Sequence, residues 1–141
     1  MRSVGRWRPC IFPHRSISSI VLALLSRKSR LKLISTNVFF HAAEAVHGSV
    51  YFKSLDDAAG LAANVLEREV FAVTASFTTH MTRPASGPLI RSVGRVVDQT
   101  RSQFLGESIV YDHNQRSVGR GNGVFMRGSV RLAASLGNRL E

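Results

Sequence analysis

The chain has 141 residues, of which 44% are hydrophobic and 20% charged, a composition typical of one soluble globular domain that leaves no room for a second core. Its formal net charge of +10 is uneven, because residues 1–30 contain seven Lys or Arg and no acid, whereas residues 31–141 contain twelve basic and nine acidic residues. A single cysteine, Cys10, excludes an internal disulfide and a cysteine-based metal cluster, so no metal site is expected.

Residues 1–30 are predicted to be a basic leader in front of a domain at residues 31–141. Their Arg and Ser content and their lack of acids are typical of a transit peptide. The run ISSIVLALL (Ile17–Leu25) resembles the apolar part of a secretory signal, but no small-residue cleavage site follows it. A processed or disordered leader, an atypical gene start and a first element of the fold all stay open. The expected location is cytoplasmic or, if the leader is a transit peptide, mitochondrial.

The predicted elements after the leader are one short strand, one helix and four long strands. The segment LKLIS is predicted as the short strand, and FFHAAEAVHG as a loop that approaches the helix. The helix is predicted over Ser49–Leu66, with Ser49 as its N-cap and Glu67 and Arg68 at its end. Runs rich in β-branched and aromatic residues, separated by turn signals, predict strands at Val70–Met81, Pro88–Thr100, Ser102–Asp112 and Ser117–Val130. One helix followed by strands at hairpin spacing predicts an α+β domain with an antiparallel sheet.

One half of the predicted helix has almost no large side chains. Its small residues are Ala58, Ala59, Gly60, Ala62 and Ala63. Glycine inside a helix costs about 1 kcal/mol relative to alanine, so we expect a close approach of another element to compensate at Gly60. Small side chains let a helix sink against a curved sheet, and the pattern therefore predicts a sheet wrapped around a central helix.

The pentapeptide RSVGR occurs three times, at residues 2–6, 91–95 and 116–120. Residues i and i+4 of a strand share a face, so Arg91 with Arg95, and Arg116 with Arg120, could each present two cations to one side. A phosphate-binding surface and a solvated face with a coincidental repeat both fit this pattern. The spacing between the copies fits no structural repeat.

Three segments in chain order, HGSVYFKSLDDAA, VTASFTTHMTRPASG and GRGNGVF, resemble the PaaI-like acyl-CoA thioesterases of the hotdog fold. That family has a His-Gly-Gly opening of the central helix, an acid nine residues after the histidine, and an Arg-Pro turn after the next strand. The resemblance covers about residues 39–130. It implies an antiparallel sheet wrapped around a central helix, an acyl-CoA substrate, no cofactor apart from the CoA of that substrate, and a homodimer or a dimer of dimers.

The resemblance also implies a set of catalytic residues. Asp56, the ninth residue after His47, matches the catalytic acid, and Gly48 matches the glycine whose backbone N–H binds the thioester carbonyl. Thr74 falls where some relatives have a Ser or Thr that positions water. His47 is expected to shape the turn as a capping residue, with direct proton transfer as the alternative. Ser49 replaces the second glycine of the motif and would lie beside the substrate.

Other side chains are candidates for substrate contacts. His41 stands where several relatives have an Asn that helps to place the substrate or the water. Arg83 before the turn proline could contact a nucleotide phosphate, as could Arg91 and Arg120. Candidate walls of the acyl pocket are Phe40, Tyr51 and Phe52. Asp57 lies 100° around the helix from Asp56, so at most one acid points into the site, and we expect Asp57 to be solvated or paired with a basic side chain.

The chemistry of thioester hydrolysis constrains the assembly. It needs a group that stabilises an oxyanion, which a helix N-terminus supplies through its unpaired N–H groups. It also needs a base or nucleophile, which a carboxylate supplies. Gly48 and Asp56 are eight residues apart, about 12 Å along one helix, and cannot reach the same carbon. A two-fold dimer in which Asp56 of one subunit faces Gly48 of the other resolves this, as the resemblance implies.

Two other classes of function stay open. A hotdog hydratase or dehydratase of enoyl thioesters usually pairs an acid with a histidine, and no Asp-x-x-x-x-His spacing occurs in the sequence. A non-catalytic protein could bind acyl-CoA, or could bind nucleic acid through its positive charge. That charge lies mostly in the leader, so no nucleic-acid partner is expected. No apolar run is long enough for a membrane span.

Overall fold

The structure, a computed structural model, describes residues 19–25, 27–34 and 40–132. The elements in these residues are β1 (Ser19–Leu25), β2 (Lys28–Ile34), α1 (Gly48–Leu66), β3 (Val70–Met81), β4 (Leu89–Gln99), β5 (Gln103–Tyr111) and β6 (Ser117–Arg131). The six strands form one sheet in the order β1-β2-β4-β5-β6-β3, with every neighbouring pair antiparallel. The predicted α+β class with an antiparallel sheet is confirmed, and α1 and the four long strands lie close to their predicted limits.

The sheet begins earlier in the chain than residue 31. β1 lies within the apolar run that resembles a signal sequence, and β2 begins at Lys28 and contains the predicted LKLI strand. β2 pairs with β4 from Lys28 opposite Arg95 to Ile34 opposite Leu89. The predicted boundary between leader and domain therefore falls inside β2. Residues 1–18 lie outside the described residues, and a leader there stays a prediction.

α1 begins at Gly48, and its N-cap is His47 instead of the predicted Ser49. The N–H of Ser49 donates to Nδ1 of the His47 ring at 3.2 Å, and the Ser49 hydroxyl lies 2.8 Å from the same nitrogen. A ring nitrogen that accepts from a backbone N–H carries no proton, which places the ring proton of a neutral His47 on Nε2. His47 is therefore the N-cap of α1, the position that the sequence argument assigned to Ser49.

The alanine-rich face of α1 packs against the concave side of the sheet. Ala58, Ala59, Ala62 and Ala63 are fully buried. Helix and sheet approach closely at Gly94 of β4, where a methyl group would overlap the backbone carbonyl of Ala58. The close approach that the small residues predict therefore occurs. A methyl group at Gly60 would lie 3.1 Å from the ring of Phe125, so the close approach expected at Gly60 is also present, although the approach at Gly94 in the sheet is tighter.

β3 is an edge strand of the sheet and lies beside α1. It pairs with β6 from Val70 opposite Arg131 to Met81 opposite Gly119. Its twelve residues, VFAVTASFTTHM, include no Lys, Arg, Asp, Glu or Pro, the residues that commonly protect an edge from pairing with another chain. Within the part of the chain that the structure describes, β3 therefore offers an open edge next to the helix that carries the predicted catalytic residues.

Among the described residues, no helix combines the length and the apolar character that a membrane span requires.

Candidate active site

The first turn of α1 places Gly48 at a cleft. The N–H of Ser49 is used by the His47 ring, and the N–H of Val50 donates to the His47 carbonyl at 2.9 Å. The N–H of Gly48 has no partner among the described residues. The cleft has a volume of about 290 Å³ and is lined by His41, Val46, Gly48, Tyr51, Met81, Thr82, Arg83 and Pro84. An N–H at a helix N-terminus favours negative charge, so this one can stabilise an oxyanion in the cleft.

Tyr51 holds the floor of the cleft in place. Its hydroxyl donates to the carbonyl of Arg83 at 3.1 Å and accepts from the N–H of Ala85. Burial raises the pKa of Tyr51, and the negative charge of Asp112 adds to the effect. The hydroxyl therefore stays protonated and keeps the Arg-Pro-Ala turn against α1. Tyr51 lines the cleft, as predicted for a pocket wall, but its hydroxyl group is hydrogen-bonded to the turn.

Asp56 lies two turns further along α1 and faces β3. Its Oδ1 accepts a hydrogen bond of 2.9 Å from Oγ1 of Thr74. Burial is the largest influence and raises the pKa of Asp56, with the nearby charge of Asp57 acting in the same direction. The hydrogen bond from Thr74 and the charge of Lys53 oppose that rise. Among the described residues the second oxygen of the carboxylate has no hydrogen-bond partner, so Asp56 can act as a base of increased strength.

Asp57 is engaged elsewhere. Its Oδ2 lies 2.7 Å from Nζ of Lys53, one turn earlier in α1, and the two groups form an ion pair at i and i+4. This is the pairing with a basic side chain that the sequence argument expects for the acid outside the site. Asp56 and Asp57 meet different partners because successive helical residues are 100° apart.

Three contacts join α1 to β3 in a row: Gly48 with Met81, Phe52 with Phe77, and Asp56 with Thr74. A methyl group at Gly48 would lie 3.0 Å from Cε of Met81. The rings of Phe52 and Phe77 meet edge to face, with centroids 5.8 Å apart. The free N–H and the carboxylate thus stand at opposite ends of one row, with an aromatic pair between them.

The predicted substrate contacts fall into two groups. His41 and Arg83 line the cleft with Gly48. Nδ1 of His41 accepts from the N–H of Ala43 at 3.1 Å, and Nη1 of Arg83 donates to the carbonyl of Ser117 at 3.0 Å. Phe52 belongs to the row, and Phe40 packs against the core beside the cleft.

Arg91 and Arg120 lie outside the cleft. Nη1 of Arg91 donates to Oε1 of Gln115 at 2.8 Å, and Arg120 is exposed on β6 opposite His80. Arg91 and Arg95 do share the outer face of β4, as predicted, but Arg95 forms an ion pair with Glu107.

The third copy of RSVGR differs from the prediction. Arg116 precedes β6 and does not share a strand face with Arg120, because β6 begins at Ser117. Arg116 instead pairs with the buried carboxylate of Asp112 at 2.8 Å in the turn between β5 and β6. The pairing lowers the pKa of Asp112 against the opposing effect of its burial. The phosphate-binding surface therefore stays a prediction for Arg91 and Arg120 alone.

The sequence argument did not propose Met81, Lys53 or Phe77 as site residues, and the structure places all three beside the predicted ones. The only local signal for Met81 is its position just before the Thr-Arg-Pro turn. Its approach to Gly48 depends on how β3 lies beside α1.

The carboxylate of Asp56 contacts Thr74 and no histidine within the described residues, which differs from the acid and histidine pair expected of a hydratase. Within the same ranges, no group of three or more His, Cys, Asp and Glu side chains could hold a metal ion.

Known proteins resemble this chain in family and in fold. The family model of the thioesterase superfamily matches residues 43–118, which contain the whole row. The PaaI protein from the phenylacetic acid degradation operon of Escherichia coli superposes with a TM-score of 0.75 at 16% identity, over 82% of this chain and 83% of that chain. No curated protein matches the sequence.

Two similar structures were determined with coenzyme A. A hypothetical thioesterase from Streptococcus pneumoniae superposes with a TM-score of 0.74 at 15% identity, over 82% of this chain and 89% of that chain. The BH2602 protein from Bacillus halodurans superposes with a TM-score of 0.66 at 26% identity, over 69% of this chain and 65% of that chain. Together with the family match, these superpositions confirm the predicted fold, a hotdog sheet wrapped around a central helix.

Proposed function

The chain belongs to the thioesterase superfamily, and on that premise we propose that it hydrolyses acyl-CoA thioesters to a free acid and CoA. The observation that carries the proposal is the row along α1 and β3. It combines a backbone N–H without a partner among the described residues, at a cleft, with a carboxylate whose pKa is raised by burial. These are the oxyanion donor and the base that acyl transfer to water requires.

In the proposed reaction, the thioester carbonyl oxygen accepts the N–H of Gly48. Asp56 takes a proton from a water molecule, and the water oxygen attacks the carbonyl carbon. Negative charge then builds on the carbonyl oxygen, where the helix N-terminus stabilises it. The carbon–sulfur bond breaks as the carbonyl forms again, and the thiolate of CoA receives the proton from Asp56. Direct attack by Asp56, with an acyl-enzyme anhydride hydrolysed afterwards, would use the same two groups.

We place this reaction between two subunits. Gly48 and Asp56 lie about 12 Å apart along α1, so the reacting carbon must meet Gly48 of one subunit and Asp56 of another. The open, uncharged edge of β3 supports a second copy of the chain as the partner. Two antiparallel β3 edges would continue the sheet and place the two α1 helices side by side. A two-fold dimer then contains two equivalent sites.

The polar groups of the cleft support CoA as the leaving group. His41 and Arg83 line the cleft together with Gly48, and a guanidinium at this position can bind phosphate. The apolar residues Met81 and Phe52 belong to the row that begins at Gly48, and an apolar surface of this kind suits an acyl or aryl-acyl group. Coenzyme A in the structures of the S. pneumoniae and B. halodurans proteins adds support for this substrate class.

The proposal is tested by thiol release from a panel of acyl-CoA esters that differ in chain length and include an aryl-acyl-CoA. We expect turnover of at least one ester by the full-length chain in dimeric form. An enoyl-CoA belongs in the panel, because hydration of its double bond without thiol release would contradict hydrolysis and favour a hydratase. Saturable binding of every ester with no turnover would also contradict the proposal and would indicate a non-catalytic acyl-CoA-binding protein.

The pH profile provides a separate test of Asp56 as the base. The ionised carboxylate is the active form, so kcat/KM should fall as the pH drops below the pKa of Asp56. Burial raises this pKa, and we expect the acid limb to lie above the ordinary range of an aspartate. Thr74→Val removes the hydrogen bond that lowers the pKa, and should move the limb to higher pH. Asp57→Asn removes a charge that raises the pKa, and should move the limb to lower pH.

Both profiles are measured over the same buffers on folded, dimeric protein. A limb that stays in place in both variants would contradict the assignment of Asp56 as the titrating base. A lower plateau with an unmoved limb in Thr74→Val would instead assign Thr74 to the placement of water.

A further inference from the structure

Phe52 of α1 lies in the middle of the row that α1 and β3 form. It lies four residues after Gly48 and four before Asp56, on the same side of α1. Its partner Phe77 lies between Thr74 and Met81, the two residues of β3 that contact the ends of the row. The helix and the strand therefore have the same midpoint, at the Phe52–Phe77 contact.

Two-fold symmetry gives this midpoint a special position. The inference rests on the proposed function, in which Asp56 of each subunit faces Gly48 of the other. In an isologous interface, if residue i meets residue j, then j meets i. The residue halfway between them must then meet its own copy. On α1 this residue is Phe52, and on β3 the midpoint between Thr74 and Met81 falls at Phe77 and Thr78.

The structure leaves Phe52 exposed and therefore available for such a contact. Its side chain is 43% exposed, although it is large and apolar. It rests on Phe77, whose ring fills the space left by Gly121 and Gly123 and meets the ring of Phe125 at 6.2 Å between centroids. Because this aromatic support continues into the core, Phe52 cannot sink inward to hide its surface.

We propose that Phe52 packs against its own copy at the two-fold axis and closes the acyl pockets of both sites there, so that it sets the length of the acyl group. Each reacting carbon would lie about 6 Å from the axis, half the separation of Gly48 and Asp56 on α1. With CoA in the cleft beside His41 and Arg83, the acyl group of the proposed substrate extends from Gly48 along the row toward the axis. It then meets the aromatic pair after a short distance.

Cross-linking tests the position of Phe52 without using activity. The experiment uses the full-length chain with Cys10→Ser, which removes the single native cysteine. Phe52→Cys should form a covalent dimer with a short bis-maleimide, as seen on a denaturing gel. Phe71→Cys is the matched control, because Phe71 is 42% exposed but lies toward the start of β3. In the proposed register its two copies are about 40 Å apart at about 3.3 Å per residue.

A Phe52→Cys variant that is dimeric in solution but does not cross-link would overturn the proposal, as would equal cross-linking of the Phe71→Cys variant. If Phe52→Cys fails to fold, cross-linking of Thr78→Cys, on the strand at the same midpoint, provides the same test. Cross-linking of the Phe52→Cys and Thr78→Cys variants in a protein without thioesterase activity would contradict the proposed function but would support the position of Phe52 at the two-fold axis. Activity in a dimer that cross-links at neither position would keep the function and reject the axis.

The acyl panel tests the effect on specificity. Phe52→Ala should raise kcat/KM for the longer acyl-CoA esters relative to the shorter ones by about tenfold or more, the scale expected when a few methylenes gain space in an apolar pocket. The change should appear mainly as a lower KM for long esters. Phe71→Ala should leave the ratio unchanged. A uniform loss of activity across the panel in Phe52→Ala would show that Phe52 acts only in folding or assembly and would reject its role in specificity.

Discussion

Asp56→Asn is expected to lower kcat for thioester hydrolysis by about 10²- to 10⁴-fold, the usual contribution of a positioned general base. Asparagine has the shape of aspartate, and its carbonyl oxygen can still accept the hydrogen bond from Thr74. It cannot take a proton or form an anhydride at neutral pH. The loss should therefore appear in kcat, with KM changed much less.

The same variant should fold at least as well as the wild type. The pKa of Asp56 is raised by burial in the folded state, so ionisation opposes folding once the pH exceeds the unfolded pKa. A neutral side chain removes that opposition, and the Tm should be equal or higher at neutral pH. The matched control is Asp98→Asn, which changes an exposed carboxylate at the end of β4 and should keep full activity. Undiminished turnover by folded, dimeric Asp56→Asn would refute the assignment of Asp56.

Gly48→Pro is expected to lower kcat by about 10²- to 10³-fold, because it deletes one backbone donor of the oxyanion site. Proline at this position is compatible with the helix. Gly48 is the first residue of α1, a position that favours proline because its N–H has no intrahelical partner. His47 has φ −63° and ψ 144°, which lies in the extended region that a residue before proline requires. The variant thus removes the donor and preserves the fold.

Gly48→Ala separates the donor from the space around it. The added methyl group would lie 3.0 Å from Cε and 3.1 Å from Sδ of Met81, the flexible end of an exposed side chain that can move aside. The N–H is kept, so we expect Gly48→Ala to retain much more activity than Gly48→Pro. Equal loss in both variants would assign the effect to crowding of the cleft and would contradict the N–H as the oxyanion donor.

Mixing the two defective variants tests whether the site is shared. A heterodimer of Asp56→Asn and Gly48→Pro has both defects in one site and none in the other, if each site uses Gly48 of one subunit and Asp56 of its partner. After subunit exchange at equal concentrations, random pairing should restore about one quarter of the wild-type activity. A mixture that exchanges subunits and stays inactive would show that both groups serve one site within a single subunit.

Local patterns in the sequence determined much of the domain. Runs rich in β-branched and aromatic residues, separated by turn signals, predicted the four long strands, and the small residues predicted a helix sunk against a sheet, because both are local properties of the chain. The family spacing pointed to Asp56, and the 100° step of the helix set Asp57 apart from it. The ion pair of Asp57 with Lys53 agrees, since a contact at i and i+4 is encoded locally.

Contacts between distant segments were decided only by the tertiary structure. β1 and the first residues of β2 lie in a stretch with the composition of a leader, and their strand character depends on pairing between β2 and β4. The overlap that requires Gly94 beside Ala58, the hydrogen bond from Thr74 to Asp56 and the place of Met81 over Gly48 join elements far apart in the chain. No local pattern encodes these contacts, because each depends on how α1 is oriented on the sheet. That orientation places Phe52 and Phe77 at the middle of the row.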